Sequence, residues 1–259
     1  MRTPAAVRAA ETKAMAYRTT WRGSVFSSFL SPVLFLAAMG LGLGSLVDES
    51  GRGAALDGSD YLAFLAPGLL AASAMTTAAS EAMWPVMAGI KWVGSYQAML
   101  ATPIGVADLA IGQLLWVGVR VAISSAVFVV VIVLFGAAES AWIVLALPAA
   151  VLTGLAHATP IAAYTASVKS EYGLSNLMRF AIIPLFLFSG AFFPVDQLPA
   201  LLRTVAPLTP LYHGVALCRS LGLGSVTALG ALGHVTYLAV WTVAGGALAV
   251  RRFERRLVA

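Results

Sequence analysis

Long apolar runs follow one another along nearly the whole chain, and this feature restricts the possible folds more than any other. Runs near or above about 18 apolar residues are typical of transmembrane helices, because about 20 helical residues cross the hydrocarbon of a bilayer. Of the 259 residues, 60% are hydrophobic and 10% are charged, against about 25% charged in an ordinary soluble domain. So much apolar surface requires lipid around it and leaves no room for a sizeable soluble domain.

Six membrane-spanning helices are predicted from these runs. Polar segments that cannot remain in hydrocarbon separate them, such as residues 48–52 and residues 91–97. Pro184 interrupts the fifth run as a kink that neighbouring helices can tolerate. The predicted spans are 24–47, 61–87, 106–135, 141–167, 177–193 and 228–250. Residues 1–259 are therefore predicted to form one all-α domain, a polytopic membrane protein with a cytoplasmic tail at residues 251–259.

Two further helical features are predicted outside the spans. Between Val7 and Trp21, apolar residues recur at steps of three and four beside several arginines, which predicts that residues 1–23 form an amphipathic helix in the membrane interface. Residues 194–221 contain short apolar pieces, broken by prolines and a glycine, that are too short to span. We expect re-entrant helices there, between spans five and six. The alternative for residues 1–23 is a basic tail, and the alternative for residues 194–221 is an ordinary amphipathic loop.

The distribution of lysine and arginine predicts which side of the membrane each loop faces. Six spans place both termini on one side, where 12 of the 16 basic residues fall, while three fall opposite and Arg120 lies within a span. The side rich in lysine and arginine is cytoplasmic, so both termini are predicted to be cytoplasmic in a protein of the cell inner membrane. These basic residues form no aromatic-interleaved face, which argues against nucleic-acid binding.

No motif for ATP hydrolysis or other chemistry is present in the sequence. A phosphate-binding loop requires a lysine after glycine, but the three lysines follow threonine, isoleucine and valine. The three histidines are widely scattered, and the single cysteine, Cys218, allows no intrachain disulfide. We therefore expect no catalytic site, metal site or cofactor in this chain.

Two ionisable residues are predicted to lie deep in the membrane, Glu81 in span two and Arg120 in span three. An ionised side chain is costly in the hydrocarbon of a membrane and usually marks an ion pair or a transport pathway. The helical rise puts the two at heights within reach of each other, and their side chains lean toward one another because each tilts toward the N-terminus of its own helix. We predict an ion pair that either fixes the packing of the two spans or contacts polar groups of a substrate.

Two weaker signals lie in spans one and four. Gly40 and Gly44 have the G-x-x-x-G spacing, which favours close helix packing within the subunit or across a dimer interface. His157 could suggest a proton relay, but a lone histidine is more often a hydrogen-bonded residue between helices.

Residues 188–219, with the sequence FSGAFFPVDQLPALLRTVAPLTPLYHGVALCR, strongly resemble the signature region of ABC-2 type permeases, particularly the lipo-oligosaccharide (Nod-factor) exporter branch. MLATP at residues 99–103 and APGLLAASAM at residues 66–75 resemble other segments of the same family. With the six predicted spans, the resemblance covers essentially the whole chain.

The resemblance implies a complex of two permeases, identical or related, with two separate ATP-binding subunits that carry Mg-ATP on the cytoplasmic side. Residues 91–102 resemble the family's coupling helix, and the N-terminal helix resembles a connecting helix that also lies against the ATPase. The candidate coupling residues are Lys91, Trp92, Val93, Tyr96, Met99, Leu100, Thr102 and Pro103.

By the same resemblance, residues 194–221 are similar to extracellular re-entrant helices that narrow the exit of the transport pathway. Anchoring at the membrane interface is the alternative role for the aromatic residues and prolines in this region. The candidate gate residues are Phe192, Phe193, Pro194, Asp196, Tyr212 and His213.

The predicted function is therefore that of an exporter permease that works by alternating access. Its substrate would be amphipathic, either a lipid-linked oligosaccharide or a hydrophobic drug. A proton- or ion-coupled secondary transporter is the alternative, but it predicts several midplane carboxylates and internal repeats, whereas we find one deep carboxylate and no repeat. A membrane enzyme acting on lipids would need a polar catalytic cluster, and none stands out.

Overall fold

The computed structural model describes residues 4–44 and 60–258. All regular structure within these two ranges is helical, which confirms the predicted all-α class. The α-helices are α1 (Ala5–Leu36), α2 (Tyr61–Met87), α3 (Ser95–Leu100), α4 (Val106–Leu134), α5 (Ala146–Ser167), α6 (Glu171–Leu177), α7 (Ile183–Phe188), α8 (Ala200–Val205), α9 (Pro210–Gly222) and α10 (Ala228–Leu257).

Short segments of other helical types extend or join several of these helices. π-helical turns continue α1 through Ala37–Gly44 and α2 through Ala88–Trp92. Another π-helical turn, Met178–Ile182, joins α6 to α7, and a 3-10 turn, Ala141–Leu145, leads into α5. The chain therefore changes helical type at these points without leaving the helical path.

Four helices of the described residues are long and apolar enough to cross a membrane. They are Tyr61–Trp92, Val106–Leu134, Ala141–Ser167 and Ala228–Leu257, and they coincide with predicted spans two, three, four and six. The first predicted span begins inside α1, but its last residues, 45–47, lie outside the described ranges. The fifth predicted span continues to residue 193, whereas α7 ends at Phe188 because the chain turns at Gly190 with a φ of 85°.

The helices are arranged around α2. This helix packs against α4, α5 and α9, and its residues Leu65, Met75 and Met83 are completely buried. α10 lies at the outside, against α5 and α4, and leaves Leu229 and Val243 largely exposed, as expected of a helix that faces lipid. We name the two ends of the bundle after α2, which begins at the Tyr61 side and ends at the Lys91 side.

The N-terminal helix is not separate from the first predicted span. α1 runs without interruption across the boundary predicted at residues 23 and 24. Its buried face contains Ala6 and Ala9, while Val7 of the predicted apolar stripe is exposed. The reason is Gly112 on α4, where an added Cβ would lie only 2.6 Å from the Ala6 carbonyl oxygen. The small residues on both helices allow α1 to pack lengthwise on α4.

α9 is a short helix buried among α2, α5 and α10. Its C-terminal Gly222 contacts Pro67 near the start of α2, whereas Gly214, one turn into α9, contacts Thr153 in the middle of α5. Its 13 residues extend about 20 Å at the usual helical rise, less than the thickness of a bilayer core. α9 therefore reaches from the Tyr61 side only as far as the middle of the bundle.

Candidate functional site

A cluster of polar side chains lies where α1, α2, α3 and α4 meet. At its centre, Arg120 Nε donates to Glu81 Oε1 over 3.0 Å. Only 15% of the Arg120 side chain and 18% of the Glu81 side chain are exposed. The structure brings the two deep charges together, and their pairing offsets the cost of removing each from water.

Two residues of α1 join this ion pair, and the sequence had not indicated either. The Arg120 guanidinium lies over the Tyr17 ring, with its Cζ atom 4.5 Å from the ring centroid. One turn earlier, Lys13 Nζ lies 5.1 Å from the centroid of the Tyr96 ring, and Glu81 attracts this ammonium group electrostatically. The one-turn spacing of Lys13 and Tyr17 was a signal that they share a helix face, but their partners follow only from the fold.

Gln113 on α4 extends the cluster by satisfying two buried groups. Its Nε2 donates to the main-chain oxygen of Glu81 over 3.1 Å, and its Oε1 accepts from the Tyr96 hydroxyl over 3.1 Å. The Glu81 oxygen needs an outside donor because Pro85, four residues later, has no N–H with which to close the helical hydrogen bond. Burial raises the pKa of Tyr96, which keeps its phenol protonated as a donor.

The predicted coupling residues divide into an exposed group and a buried group. Trp92 and Val93 are 50% and 74% exposed, and Gly94, with a φ of 66°, turns the chain from the end of the π-helical segment into α3. Tyr96, only 1% exposed, packs against the Phe253 ring. Because it faces the interior, Tyr96 is not available for direct contact with a partner.

The remaining coupling residues continue this division. Met99 and Leu100 pack partly against the hydrophobic core, so the last turn of α3 is anchored inward. Thr102 and Pro103 are exposed in the turn that leads to α4. Among the predicted coupling residues, the exposed ones are therefore Lys91, Trp92, Val93, Thr102 and Pro103.

Lys91 and Trp92 share an acceptor on another part of the chain. Lys91 Nζ lies 3.0 Å and Trp92 Nε1 lies 2.8 Å from Oε1 of Glu171, the first residue of α6. The Trp92 ring also stacks on Trp84, with 6.5 Å between centroids. A hydrogen bond from its own main-chain N–H, together with those from Trp92 and Lys91, lowers the pKa of Glu171 to about 2. The sequence had given no signal for this role of Glu171.

The predicted gate residues fall into two groups, one near the Tyr61 side and one toward the middle of the bundle. Phe192 packs between Phe35 of α1 and Phe186 of α7, with ring centroids 5.8 Å and 5.3 Å away. Phe193 and Pro194 follow it and are half-buried, and Asp196 is exposed in a 3-10 turn.

Tyr212 and His213 form the second group, on the first turns of α9. His213 Nε2 lies 2.9 Å from the Pro207 carbonyl oxygen, and its Nδ1 lies 2.8 Å from Nδ1 of His234 on α10. Because a carbonyl can only accept, neutral His213 carries its proton on Nε2, and His234 donates to its Nδ1. The His213 ring also stacks on Tyr237 with 3.9 Å between centroids. These contacts hold the start of α9 to α10.

Arg219 connects α9 to the turn that carries the Phe192 group. Its Nη2 donates to the carbonyl oxygens of Gly190 and Ala191 over 2.8 Å and 3.1 Å, and its Nε donates to that of Phe64 over 3.1 Å. The Arg219 guanidinium therefore holds together three segments near the Tyr61 side. The sequence had given no signal for this role of Arg219.

The two weaker sequence signals have different outcomes. Gly40 and Gly44 lie in the π-helical turn Ala37–Gly44, but their surroundings fall outside what the structure describes. His157 is buried in α5, where its Nδ1 donates to the Thr153 oxygen of its own helix. Within the described ranges its Nε2 has no hydrogen-bond partner, and no three potential metal ligands lie together.

A cavity of about 250 Å³ lies between α1, α2, α4 and the helix formed by α6 and α7. Its walls are mostly apolar, with two hydroxyl groups contributed by α2. The lining residues are Pro32, Phe35, Leu69, Ser73, Thr76, Phe128, Met178, Ile182, Ile183 and Phe186. Phe35 and Phe186 are also partners of Phe192, so this cavity lies beside the predicted gate.

Comparison with known proteins identifies the family of this chain. Residues 12–222 match the family described as ABC-2 type transporter. The chain belongs to the ABC-2 type transporter family. This confirms the family predicted from the signature region. The family consists of membrane transport components and not of catalytic subunits, and membership implies association with an ABC ATP-binding subunit.

Several ABC-2 type relatives cover nearly the full length of the chain. Nodulation protein J of Rhizobium leguminosarum bv. trifolii is 32% identical over 242 residues, which cover 92% of this chain and 90% of that protein. Nodulation protein J of Rhizobium meliloti (strain 1021) is 31% identical, with 94% and 90% covered. The ABC-2 match begins next to Lys13 and ends at the last residue of α9, so it includes the polar cluster, the coupling segment and the predicted gate.

Proposed function

We propose that this chain is the membrane-spanning permease subunit of an ATP-driven exporter. It moves an amphipathic substrate out of the cytoplasm or the inner leaflet by alternating access. The observation that carries the proposal is the exposed segment at the end of α2, where Trp92 and Val93 project from a turn that Glu171 and Trp84 hold in place. Such a surface suits a chain that lacks an ATP-binding motif and must receive its energy from a partner.

The proposed topology has six spans with both termini in the cytoplasm, in one transmembrane domain of residues 1–259. α1 with its π-helical extension contributes the first span, and α6 leads from the loop after span four into the fifth, which contains α7. The basic residues at the end of α10, together with Lys91 and Lys169, make the Lys91 side cytoplasmic under the positive-inside rule. α9 is a re-entrant helix on the extracellular side, a role supported by its length and by its packing beside half of α5.

The partners are two copies of an ATP-binding subunit, which carry Mg-ATP, and a second permease chain, identical or related. ATP-dependent closure of the partner subunits moves the exposed segment 91–103. The polar cluster then transmits the movement, because Tyr96 and Gln113 connect this segment to α2 and α4. The N-terminal part of α1 moves with them, since Lys13 and Tyr17 belong to the same cluster.

The Glu81–Arg120 pair belongs to packing and transmission, not to substrate contact. The two side chains satisfy each other, and neither lines the cavity between α1, α2, α4 and α7. This arrangement favours the structural one of the two roles that the sequence left open. Arg120 is then unavailable as a receptor for an anionic head group.

The cavity beside Phe192 is the proposed route of the substrate. Its apolar walls suit acyl chains or the body of a hydrophobic drug, and the hydroxyls of Ser73 and Thr76 suit polar groups. Its volume of about 250 Å³ is small for such molecules, so a second permease chain has to complete the route. Relatives named nodulation protein J support a lipid-linked oligosaccharide over a drug.

The test is ATP-dependent transport in proteoliposomes that contain the permease and its ATP-binding subunit. We expect Val93→Asp to reduce transport by about tenfold, because a buried, unpaired carboxylate at an interface costs more than 1.4 kcal/mol. Val130→Asp tests only the burden of a new charge on an exposed lipid-facing residue. Transport that needs an ion gradient and no ATP would instead support a secondary transporter.

A further inference from the structure

We propose that Glu171 is the positioning residue of the ATPase-docking surface, joining the segment after span two to the loop after span four. This inference rests on the proposed function and adds a second segment of the chain to the surface that the partner contacts. Glu171 acts through Lys91 and Trp92, and it is not itself required to touch the ATP-binding subunit.

The joining contacts converge on a single oxygen atom. Glu171 Oε1 accepts from Lys91 Nζ over 3.0 Å and from Trp92 Nε1 over 2.8 Å, although these residues are 80 and 79 positions away in the sequence. The side chains of Lys91 and Glu171 remain 44% and 38% exposed. An exposed ion pair contributes little to stability, so the consequence of this contact is the orientation of the Trp92 indole.

The Glu171 carboxylate is itself held in position. Ser170 caps α6 by accepting a hydrogen bond from the Tyr172 main-chain N–H over 3.3 Å. Glu171 is therefore the first residue of the helix, where the helix dipole favours a negative charge. The low pKa of Glu171 keeps it ionised at neutral pH, so the acceptor for Lys91 and Trp92 is always available.

Trp92 is restrained from a second direction by Trp84, in the last full turn of α2. The two indoles lie nearly parallel, with an interplanar angle of 17°, and Trp92 remains 50% exposed. The Trp92 ring therefore has one face against span two, one edge against the loop after span four, and the rest of its surface free. An aromatic side chain with a fixed orientation and a free surface suits the centre of a protein interface.

Exposed apolar side chains follow both Trp92 and Glu171 in the sequence. Val93 follows Trp92 and is 74% exposed, and Tyr172 follows Glu171 and is 81% exposed. Each lies in a polar segment at the end of a span, on the side that we propose to be cytoplasmic. The occupant of this surface is the ATP-binding subunit, because the same surface is built on the segment that couples the permease to ATP hydrolysis.

The experiment measures transport and ATP hydrolysis together in proteoliposomes of the complete complex. Glu171→Ala should lower the number of substrate molecules moved per ATP hydrolysed by about fivefold, the lower end of typical coupling factors. Glu171→Gln keeps an oxygen that can accept from Trp92 and should retain most of the coupling. Glu254→Ala, an exposed carboxylate at the cytoplasmic end of α10, is the matched control and should change nothing.

A charge exchange separates the two contacts. Lys91→Glu combined with Glu171→Lys restores the ion pair but removes the acceptor for Trp92, so coupling should stay as low as in Glu171→Ala. Full recovery in the exchanged protein, or unchanged coupling in Glu171→Ala, would overturn the role of Glu171. If wild-type complex shows no ATP-dependent transport, the proposed function fails instead. The yield and thermal unfolding of each variant in detergent identify any variant that does not fold. If Glu171→Ala does not fold, the coupling measured for Glu171→Gln decides the role of Glu171.

Discussion

Pro85 on one helix removes a hydrogen-bond donor from a buried carbonyl, and Gln113 on another helix supplies the missing hydrogen bond. Proline at position 85 frees the Glu81 carbonyl inside a buried helix, and Gln113 donates to it while also accepting from Tyr96. Lipid and core offer no water to replace such a donor, so both groups depend on this one side chain. A buried amide that contacts two helices in this way restricts their relative position.

We predict that Gln113→Leu lowers the free energy of unfolding by about 2–6 kcal/mol, since it leaves two buried polar groups unpaired at about 1–3 kcal/mol each. Tyr96→Phe should cost less, because it removes only one of the two hydrogen bonds. Pro85→Ala supplies an N–H to the Glu81 carbonyl, and Gln113→Leu should therefore be less damaging in that background. Thermal or denaturant unfolding in detergent measures all four proteins, and equal costs of Gln113→Leu in both backgrounds would contradict the assignment.

At the scale of elements, the position of α1 depends on small residues rather than on large apolar ones. Ala6 and Ala9 approach Gly112 so closely that a Cβ at that glycine would lie 2.7 Å from the Cβ of Ala9. This contact brings Lys13 and Tyr17 onto the polar cluster. The same logic applies to α9, where Gly214 admits Thr153 of α5. Glycine at these contacts allows short, partly polar helices to pack inside the bundle.

Gly112→Val is predicted to separate the N-terminal part of α1 from α4. Overpacking of this kind costs about 1–3 kcal/mol, so trypsin should cleave after Arg8 or Arg18 roughly tenfold faster than in the wild type. Gly118→Ala is the control on the same helix, because a Cβ there meets Leu155 at an ordinary 3.6 Å. Equal cleavage rates for the two variants would show that α1 is held by other contacts.

At the scale of the whole molecule, the two ends of the bundle have different characters. The Lys91 side carries the exposed segment that we predict to couple to the ATPase, together with Glu171 and the basic end of α10. The Tyr61 side carries the aromatic group around Phe192 and the short helix α9, which Arg219 and His213 fasten to their neighbours. An exporter with an energy input at one side and an exit at the other requires such a difference.

The predicted orientation can be tested by labelling, since the buried Cys218 can be replaced without removing an exposed thiol. In a Cys218→Ser background, we expect Val93→Cys to react with a membrane-impermeant maleimide only in inside-out vesicles. Asp196→Cys should react only in right-side-out vesicles. At least a tenfold preference is expected from each, because the bilayer excludes a charged reagent. The opposite pattern would reverse the orientation and with it the assignment of the docking surface.

Much of the architecture was accessible from the sequence because it depends on local composition. An apolar run of sufficient length must lie in lipid as a helix, whatever its neighbours are. Four predicted spans therefore coincide with long apolar helices of the structure. Glu81 and Arg120 could be paired from their heights alone, because both the rise per residue and the tilt of side chains are fixed properties of a helix.

The remaining contacts required the tertiary structure. The roles of Lys13, Gln113 and Glu171 depend on partners 17 to 83 residues away, and single polar residues leave no periodic pattern in the sequence. The orientation of Tyr96, inward instead of toward a partner, was likewise decided by the packing of α3 against α4 and Phe253. The sequence by itself determined which segments enter the membrane, because transfer into lipid depends on each segment's own surface. Only the fold decided which polar groups satisfy one another, because a buried hydrogen bond depends on the positions of two helices at once.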